Sequence, residues 1–449
     1  MKKAISILLA AVITFSMTAC SDTKKTAENV TDNSQHIAEN TNAAESEPQG
    51  DEVTEIDFWY SWTDTIEENN LNLTKQFNET VGKEMGIKVN AEYQGTYADL
   101  SQKLQAAYVS GTVPAVTVMD LGYITTFADN GVFEPLTPYI ERDAVNMDDY
   151  YESLLENCKV DGTYYALPYL RSTPVLYLNA TLLKEAGLDP SGPKTWDDLA
   201  AYCKTIKEKT GTYGLTMYSD EWLFDAFLLQ SNASILNEAN NTSNINTPES
   251  KETLRFFKEL IEDGDVACHA GSDSNQIQID FMSQNAAMFS VSSAYISYVI
   301  GLAEQSGFEV NIAPMPMNDT YGVAAGGCNL IMTSSISEKE KEAAWTFIKW
   351  MTETDQAAYA SAYTGYVPTR KSAVETDTIQ KLYAETPQFE IALNQLKAYG
   401  SKYPMVNGYT EAADIVVSVL DAVWVNGAEI ESTTADAETQ INELLQETN

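Results

Sequence analysis

Thr54-Glu55-Ile56-Asp57-Phe58-Trp59-Tyr60, Ile87-Lys88-Val89-Asn90-Ala91-Glu92-Tyr93 and Ala115-Val116-Thr117-Val118-Met119 set the pattern of this chain. In the first two runs apolar side chains alternate, at Ile56, Phe58 and Tyr60 and at Ile87, Val89, Ala91 and Tyr93; the third is short and apolar throughout. A period of two predicts strands. Between them the spacing changes: Thr65 to Thr80 carries Leu73 and Phe77 on one helical face, and Leu100, Leu104 and Tyr108 keep helical spacing. A further helical piece begins at Thr125 to Asp129. Strand and helix in alternation predict a parallel sheet with covering helices. In such sheets ligands sit beyond the carboxyl ends of the strands. Three segments fall there: Tyr60-Ser61-Trp62, Gly95-Thr96-Tyr97 and Asp120. Rings that stack on a C–H face beside a carboxylate that accepts from hydroxyls suit a polyol. Trp59, out of phase with Phe58 and Tyr60, is expected in the core, and Trp62 in a cleft.

Outward from this region, the N-terminus reads as a leader. Lys2 and Lys3 precede a short apolar run, Ala4 to Phe15, too short to span a bilayer as a helix. Met17-Thr18-Ala19-Cys20 resembles a bacterial lipobox, so residues 1–20 are expected to be a lipoprotein signal peptide ending at a lipidated Cys20. The alternative is an ordinary signal peptide with an incidental cysteine. Residues 21–52 are polar and, from Ser21 to Asp51, contain no Phe, Tyr, Trp, Leu or Met. Such a segment buries too little to offset its ordering entropy and reads as a disordered tether with a reach on the order of 30 Å. The expected location is the outer face of the cytoplasmic membrane, with the lipid anchor as sole membrane contact.

The remaining body, about 400 residues, is long enough to form two lobes. The whole chain carries 65 acids against 27 bases, a formal net charge of −38. That charge repels nucleic acid and anionic headgroups and excludes both as partners. Cys158, Cys203, Cys268 and Cys328 are widely spaced, and the sequence leaves open whether they pair or stay free. The two histidines are His36 in the tether and His269 beside Cys268, poor material for a catalytic triad or a zinc site. No metal, cofactor or chemistry is expected. The rival from another class is a secreted glycan hydrolase acting through two carboxylates, although nothing singles out a pair.

Several motifs recur in one order. They include Gly111-Thr112-Val113-Pro114, Gly162-Thr163-Tyr164-Tyr165-Ala166-Leu167-Pro168 and Ser172-Thr173-Pro174-Val175-Leu176-Tyr177-Leu178-Asn179. The most specific is Ala186-Gly187-Leu188-Asp189 followed by Pro193-Lys194-Thr195-Trp196-Asp197-Asp198-Leu199. Phe281 to Met288, Gly326-Gly327, Ala344 to Trp350 and Thr364-Gly365-Tyr366-Val367-Pro368-Thr369-Arg370 complete the set. Together they resemble the extracellular solute-binding proteins of carbohydrate-uptake ABC importers, the family of maltose-binding and glycerol-3-phosphate-binding proteins, from about Thr54 to Val423. The resemblance implies a two-lobe, class II periplasmic-binding-protein-like α/β fold. Its ligand would lie in the interlobe cleft, with several chain crossings as a hinge. Lobe I is expected over 53–174 plus 326–365, and lobe II over 175–325 plus 366–449. It also implies a monomer that closes on one ligand and presents it to an ABC permease, with delivery to a sensor left open.

By resemblance to the glycerol-3-phosphate-binding branch, Tyr97, Asp120, Ser172, Ser292, Gly327 and Tyr366 occupy ligand-contacting positions. Asp120 stands where that branch has Glu. The branch's late arginine has no counterpart: no Lys or Arg follows Lys402, and Asp414 falls near its place. A carboxylate facing phosphate would repel it, so a sugar or oligosaccharide is the expected ligand, with glycerol 3-phosphate or a glycerophosphodiester as the alternative. Arg171 is the compensating candidate, through phosphate, sugar hydroxyls or Asp120. Thr195 is expected to cap a helix over Asp197 to Lys207, with Asp198 reaching back. That leaves Trp196 as a stacking platform or a packing residue. Gly326 and Gly327 admit a close ligand or mark a tight bend. Trp222, before the apolar helix Leu223 to Leu229, is a sugar subsite or a packing residue.

Overall fold

The computed structural model describes residues 53–448; the leader, Cys20 and the tether lie outside the described residues. Two five-stranded sheets form the frame. Their strands are, in chain order, β1 (Thr54–Tyr60), β2 (Ile87–Tyr93), β3 (Val116–Asp120), β4 (Ala166–Ser172), β5 (Pro174–Asn179), β6 (Tyr213–Tyr218), β7 (Val266–His269), β8 (Ala286–Ser292), β9 (Val310–Ala313) and β10 (Gly326–Met332). The first sheet runs β2-β1-β3-β10-β4 and the second β7-β6-β8-β5-β9.

The expected parallel core is present. β1 pairs in parallel with β2 from Thr54↔Ile87 to Tyr60↔Tyr93, and with β3 on its other side. β10 then adds antiparallel between β3 and β4. Ile56, Phe58 and Tyr60 are buried while Glu55 and Asp57 face solvent, which fixes the register because a slip of one residue would invert the faces. Trp59 departs from the expected core position: it is half-buried at the edge of the first core and donates from Nε1 to Glu92 Oε2 at 3.1 Å. The helix Asp64–Glu79 covers the sheet through Leu73 and Phe77. Phe77 meets Phe347 edge-on at 5.0 Å, joining that helix to Glu338–Met351 from late in the chain.

The second core gathers Trp196, Phe224, Phe227, Phe257 and Trp424 around β6 and the C-terminal helices Tyr409–Leu420 and Ile430–Glu447. A third cluster joins Tyr177 and Phe289 of the second sheet, with Phe281 of the helix Gln276–Met282, to Phe389 and Leu393 of the helix Gln388–Tyr399.

The chain crosses between the sheets at Ser172–Pro174, where β4 ends and β5 begins, and again at Ala325–Gly326. The third crossing comes well after the expected boundary at 365: Ala373 and Ile379 still pack on the helix Thr354–Thr364 of the first lobe, and Gln388–Tyr399 joins the second sheet. The Tyr366 ring belongs to the first core. Val367 N–H donates to Arg171 O at 2.8 Å, and Arg370 pairs with Asp149 at 3.2 Å. A further strap, residues 400–408, ties the lobes together. Asn157 donates from Nδ2 to Tyr403 O at 2.8 Å and accepts from Tyr403 N–H at 3.0 Å, and Asn407 donates to Asp129 at 2.8 Å. The four cysteines from Cys158 onward are free. Among the described residues no helix is long and apolar enough to cross a membrane.

Candidate functional site

Between the sheets lies a cavity of about 820 Å³, within the size range of small-molecule sites. Its first-lobe wall is built from strand ends. Thr96 caps the helix Tyr97–Ser110 in a capping box with Asp99, which puts Tyr97 at the helix's first residue, at the sheet rim. Beyond β1, Trp62 (φ 70°) and Asp64 (φ 55°) are both held in the left-handed region, costly for side-chain-bearing residues and characteristic of functional loops. The Trp62 indole meets the Tyr97 ring edge-on at 5.4 Å.

Asp120 ends β3 and caps the following turn, accepting from Gly122 N–H at 3.0 Å. Burial pushes its carboxyl up to about 6, against the pull of the Gly122 amide and the Arg171 charge. The polar atoms of Tyr97, Tyr366 and Cys328 cluster beside it.

The second-lobe wall comes from Asp220, Trp222, Ser292, Tyr295 and Tyr298. Asp220 caps the helix Glu221–Gln230, accepting from Leu223 N–H and from the Tyr218 hydroxyl, both at 2.8 Å. Trp222, the second residue of that helix, reaches the cavity, and its buried Nε1–H has no partner. A buried donor left unmade is costly, and this one is free to take an oxygen acceptor. Tyr403, carried by the strap, closes one side and donates to Glu221 Oε2 at 2.7 Å; Tyr409 donates to the other carboxylate oxygen. Burial and the neighbouring Asp225 push Glu221 up to about 8.

Nine residues singled out in the sequence line this cavity: Trp62, Tyr97, Asp120, Ser172, Trp222, Ser292, Gly326, Gly327 and Tyr366. The two glycines answer different needs. At Gly326 a Cβ would stand 2.7 Å from the Trp222 ring, whereas Gly327, at φ 97°, would drive one to 2.0 Å from Leu170 O.

Two expectations are corrected. Trp196 is buried in the second core between Phe227, Phe256 and Phe257, with Nε1 donating to Gln230 at 2.7 Å. Thr195 does cap its helix with Asp198, but the helix, Trp196–Thr210, turns the indole inward. Arg171 does not line the cavity. It is fully buried, donates from Nη1 to Asn329 Oδ1 at 3.1 Å, and makes no ion pair with Asp120. Its Nε and Nη2 have no partner, and burial lowers its pKa.

Asp64, Asp220, Tyr295, Tyr298 and Tyr403 line the cavity without having been singled out as site residues. Asp220, immediately ahead of an apolar helix, had a capping signal. The three tyrosines had none, since their place depends on contacts with distant segments.

Two sheets joined by several crossings, with a ligand-sized cleft lined from both, define a two-lobe class II solute-binding protein. Residues 72–389 match the model of the bacterial extracellular solute-binding proteins, and the chain belongs to that family. Among curated relatives, the sn-glycerol-3-phosphate-binding periplasmic protein UgpB of Rhizobium meliloti is 26% identical over 364 residues, 78% of this chain and 83% of that protein. Solved structures of other binding proteins share the fold. UgpB from Mycobacterium tuberculosis, in complex with glycerophosphocholine, has a TM-score of 0.77 at 24% identity, over 87% of this chain and 98% of that one. The cyclic alpha-maltosyl-1,6-maltose binding protein from Arthrobacter globiformis has a TM-score of 0.76 at 24% identity, over 88% and 100%. Family and fold are those of non-catalytic solute-binding proteins, which removes the hydrolase reading.

Proposed function

We propose that this protein is the substrate-binding lipoprotein of an ABC importer, capturing a sugar or oligosaccharide outside the cytoplasmic membrane and delivering it to the permease. Cys20 would carry the lipid, residues 21–52 would tether the body, and the protein would act as a monomer. Trp62, Tyr97, Asp120, Ser172, Trp222, Ser292, Gly326, Gly327 and Tyr366 are proposed as ligand contacts. The lobes close on the ligand by hinge motion at their crossings.

One observation carries the choice of ligand: among the described residues lining the cavity there is no Lys, Arg or His. Phosphate recognition relies on charge-assisted hydrogen bonds, and here phosphate would meet carboxylates instead. Aromatic rings, hydroxyls and carboxylates are the groups that hold sugar rings and their hydroxyls. The UgpB relatives support a second reading, glycerol 3-phosphate or a glycerophosphodiester.

A thermal-shift panel on ligand-stripped protein separates them. A ligand at a hundred times its Kd adds roughly 2.7 kcal/mol. A shift with a neutral or amine-bearing saccharide, lost in Asp120→Ala, supports the carbohydrate reading. A shift confined to phosphorylated ligands overturns it.

A further inference from the structure

The charge of the cleft restricts the ligand further. Three carboxylates line it, Asp64, Asp120 and Asp220, and no basic side chain among the described residues does. Asp220 is committed to a helix cap and to Tyr218. The other two retain acceptor capacity. Asp120 has backbone donors alone within hydrogen-bond reach, and Arg171 contributes to it only as a more distant charge. The side-chain contact of Asp64 is a long one to the Thr63 hydroxyl, 3.4 Å, and its backbone is held at φ 55°. Both belong to the first lobe and stand among rings. Tyr97 and Tyr366 line the same cavity and feel the Asp120 charge, and Asp64 acts electrostatically on Tyr295, which meets Tyr298 edge-on at 6.3 Å.

Closing this cleft on a neutral ligand would desolvate Asp64 with no counter-charge and leave Asp120 with only the Arg171 charge acting on it from outside the lining. A cationic group relieves that cost, and carboxylate combined with ring faces is the chemistry that holds an alkylammonium. A bare metal ion is a poorer fit, because among the described residues no three potential ligands converge. The unpartnered Trp222 Nε1–H calls for an oxygen acceptor in the same ligand.

We infer that the saccharide captured in this cleft bears an ammonium group, as an amino sugar does, held by Asp120 and Asp64 against the tyrosine and tryptophan rings. The inference rests on the carbohydrate reading above and narrows it to basic sugars.

Calorimetric titration of ligand-stripped protein tests it with matched probes: glucosamine, glucose and N-acetylglucosamine, chitosan and chitin oligosaccharides of equal length, and choline as an ammonium without a sugar. The free-amine member of each pair is expected to bind at least about tenfold tighter at low salt, as a hydrogen bond between charged groups implies. The advantage shrinks in about 1 M salt. Asp64→Asn, at an exposed position, and Asp120→Asn each lower amine-sugar affinity by more than they lower that of the neutral partner, so the free-amine advantage shrinks. Neutral sugars binding as tightly as their amines would overturn the inference and leave the carbohydrate reading standing. Choline binding with every sugar silent would overturn the carbohydrate reading and keep the ammonium site. Silence across all probes would overturn both.

Discussion

The indole of Trp222, from the second lobe, lies directly against Gly326, the first residue of β10 in the first. An added Cβ there would stand 2.7 Å from Cζ2, 3.0 Å from Cε2 and 3.1 Å from the Ser172 hydroxyl. Gly326 is a glycine for space, since its φ lies outside the left-handed region. Gly326→Ala must therefore push the ring or the strand aside, an overpacking cost of about 1–3 kcal/mol. With that cost falling on the liganded cleft, affinity drops by about tenfold or more. Calorimetric titration beside thermal unfolding checks it, and a fully retained affinity would show that Trp222 does not contact ligand.

Trp196 gives the opposite pattern. Its indole fills the second core and bonds Gln230. Trp196→Ala should cost about 3–5 kcal/mol of stability in denaturant titrations. Ligand affinity of the folded fraction should stay unchanged, which separates it from every residue lining the cleft.

Glu221 sets a pH dependence. Its carboxyl, pushed up to about 8 from an ordinary 4.5, binds protons more tightly in the folded than in the unfolded chain. Between those values the folded state holds the extra proton, so stability falls as pH rises from about 4.5 through about 8, and levels off above. Asp225, pushed up to about 7, acts in the same direction. Glu221→Gln cannot ionise. It should gain on the parent by an amount on the order of a few kcal/mol between about pH 5 and 8, read as diverging urea midpoints.

Asp120 should make binding pH-dependent. Its carboxyl is pushed up to about 6, and hydroxyl or ammonium donors favour the ionised form. Affinity should be at its plateau above about pH 6 and fall below it. Tyr97, Tyr366, Tyr403 and Cys328 feel the same carboxyl but are held protonated by burial, and the guanidinium of Arg171, although burial lowers its pKa, starts far above this range. Asp120→Asn should remove the dependence; a profile unchanged in that variant would assign the titration elsewhere.

Much of the first lobe was legible because its signals are local. Alternation at Ile56, Phe58 and Tyr60 requires a half-buried strand, Leu73 and Phe77 require a helix laid on it, and strand ends in a parallel sheet present Trp62, Tyr97 and Asp120 at one rim. The capping box at Thr195 was local too, but the direction of Trp196 was not. A helix start fixes a backbone and leaves the ring to whichever surface accepts it, here Phe256 and Phe257, some sixty residues on. Arg171 escaped reading for a related reason. Every residue of β4 is buried, so alternation cannot tell cleft from core, and Asn329, 158 residues later, supplies its hydrogen bond.

The sequence by itself determined the order of elements, the class of fold and the rim at which a ligand would lie, because periodicity, caps and glycines act over a few residues. Tertiary structure alone decided which side chains reach that rim. Tyr403 enters the cleft because its strap is fastened to Asn157 of one lobe and its hydroxyl to Glu221 of the other. The acidic character of the cleft arises because Asp64, Asp120 and Asp220 line it while Arg171 is buried outside the lining. Those outcomes depend on contacts between segments far apart in the chain, and local spacing carries no record of them.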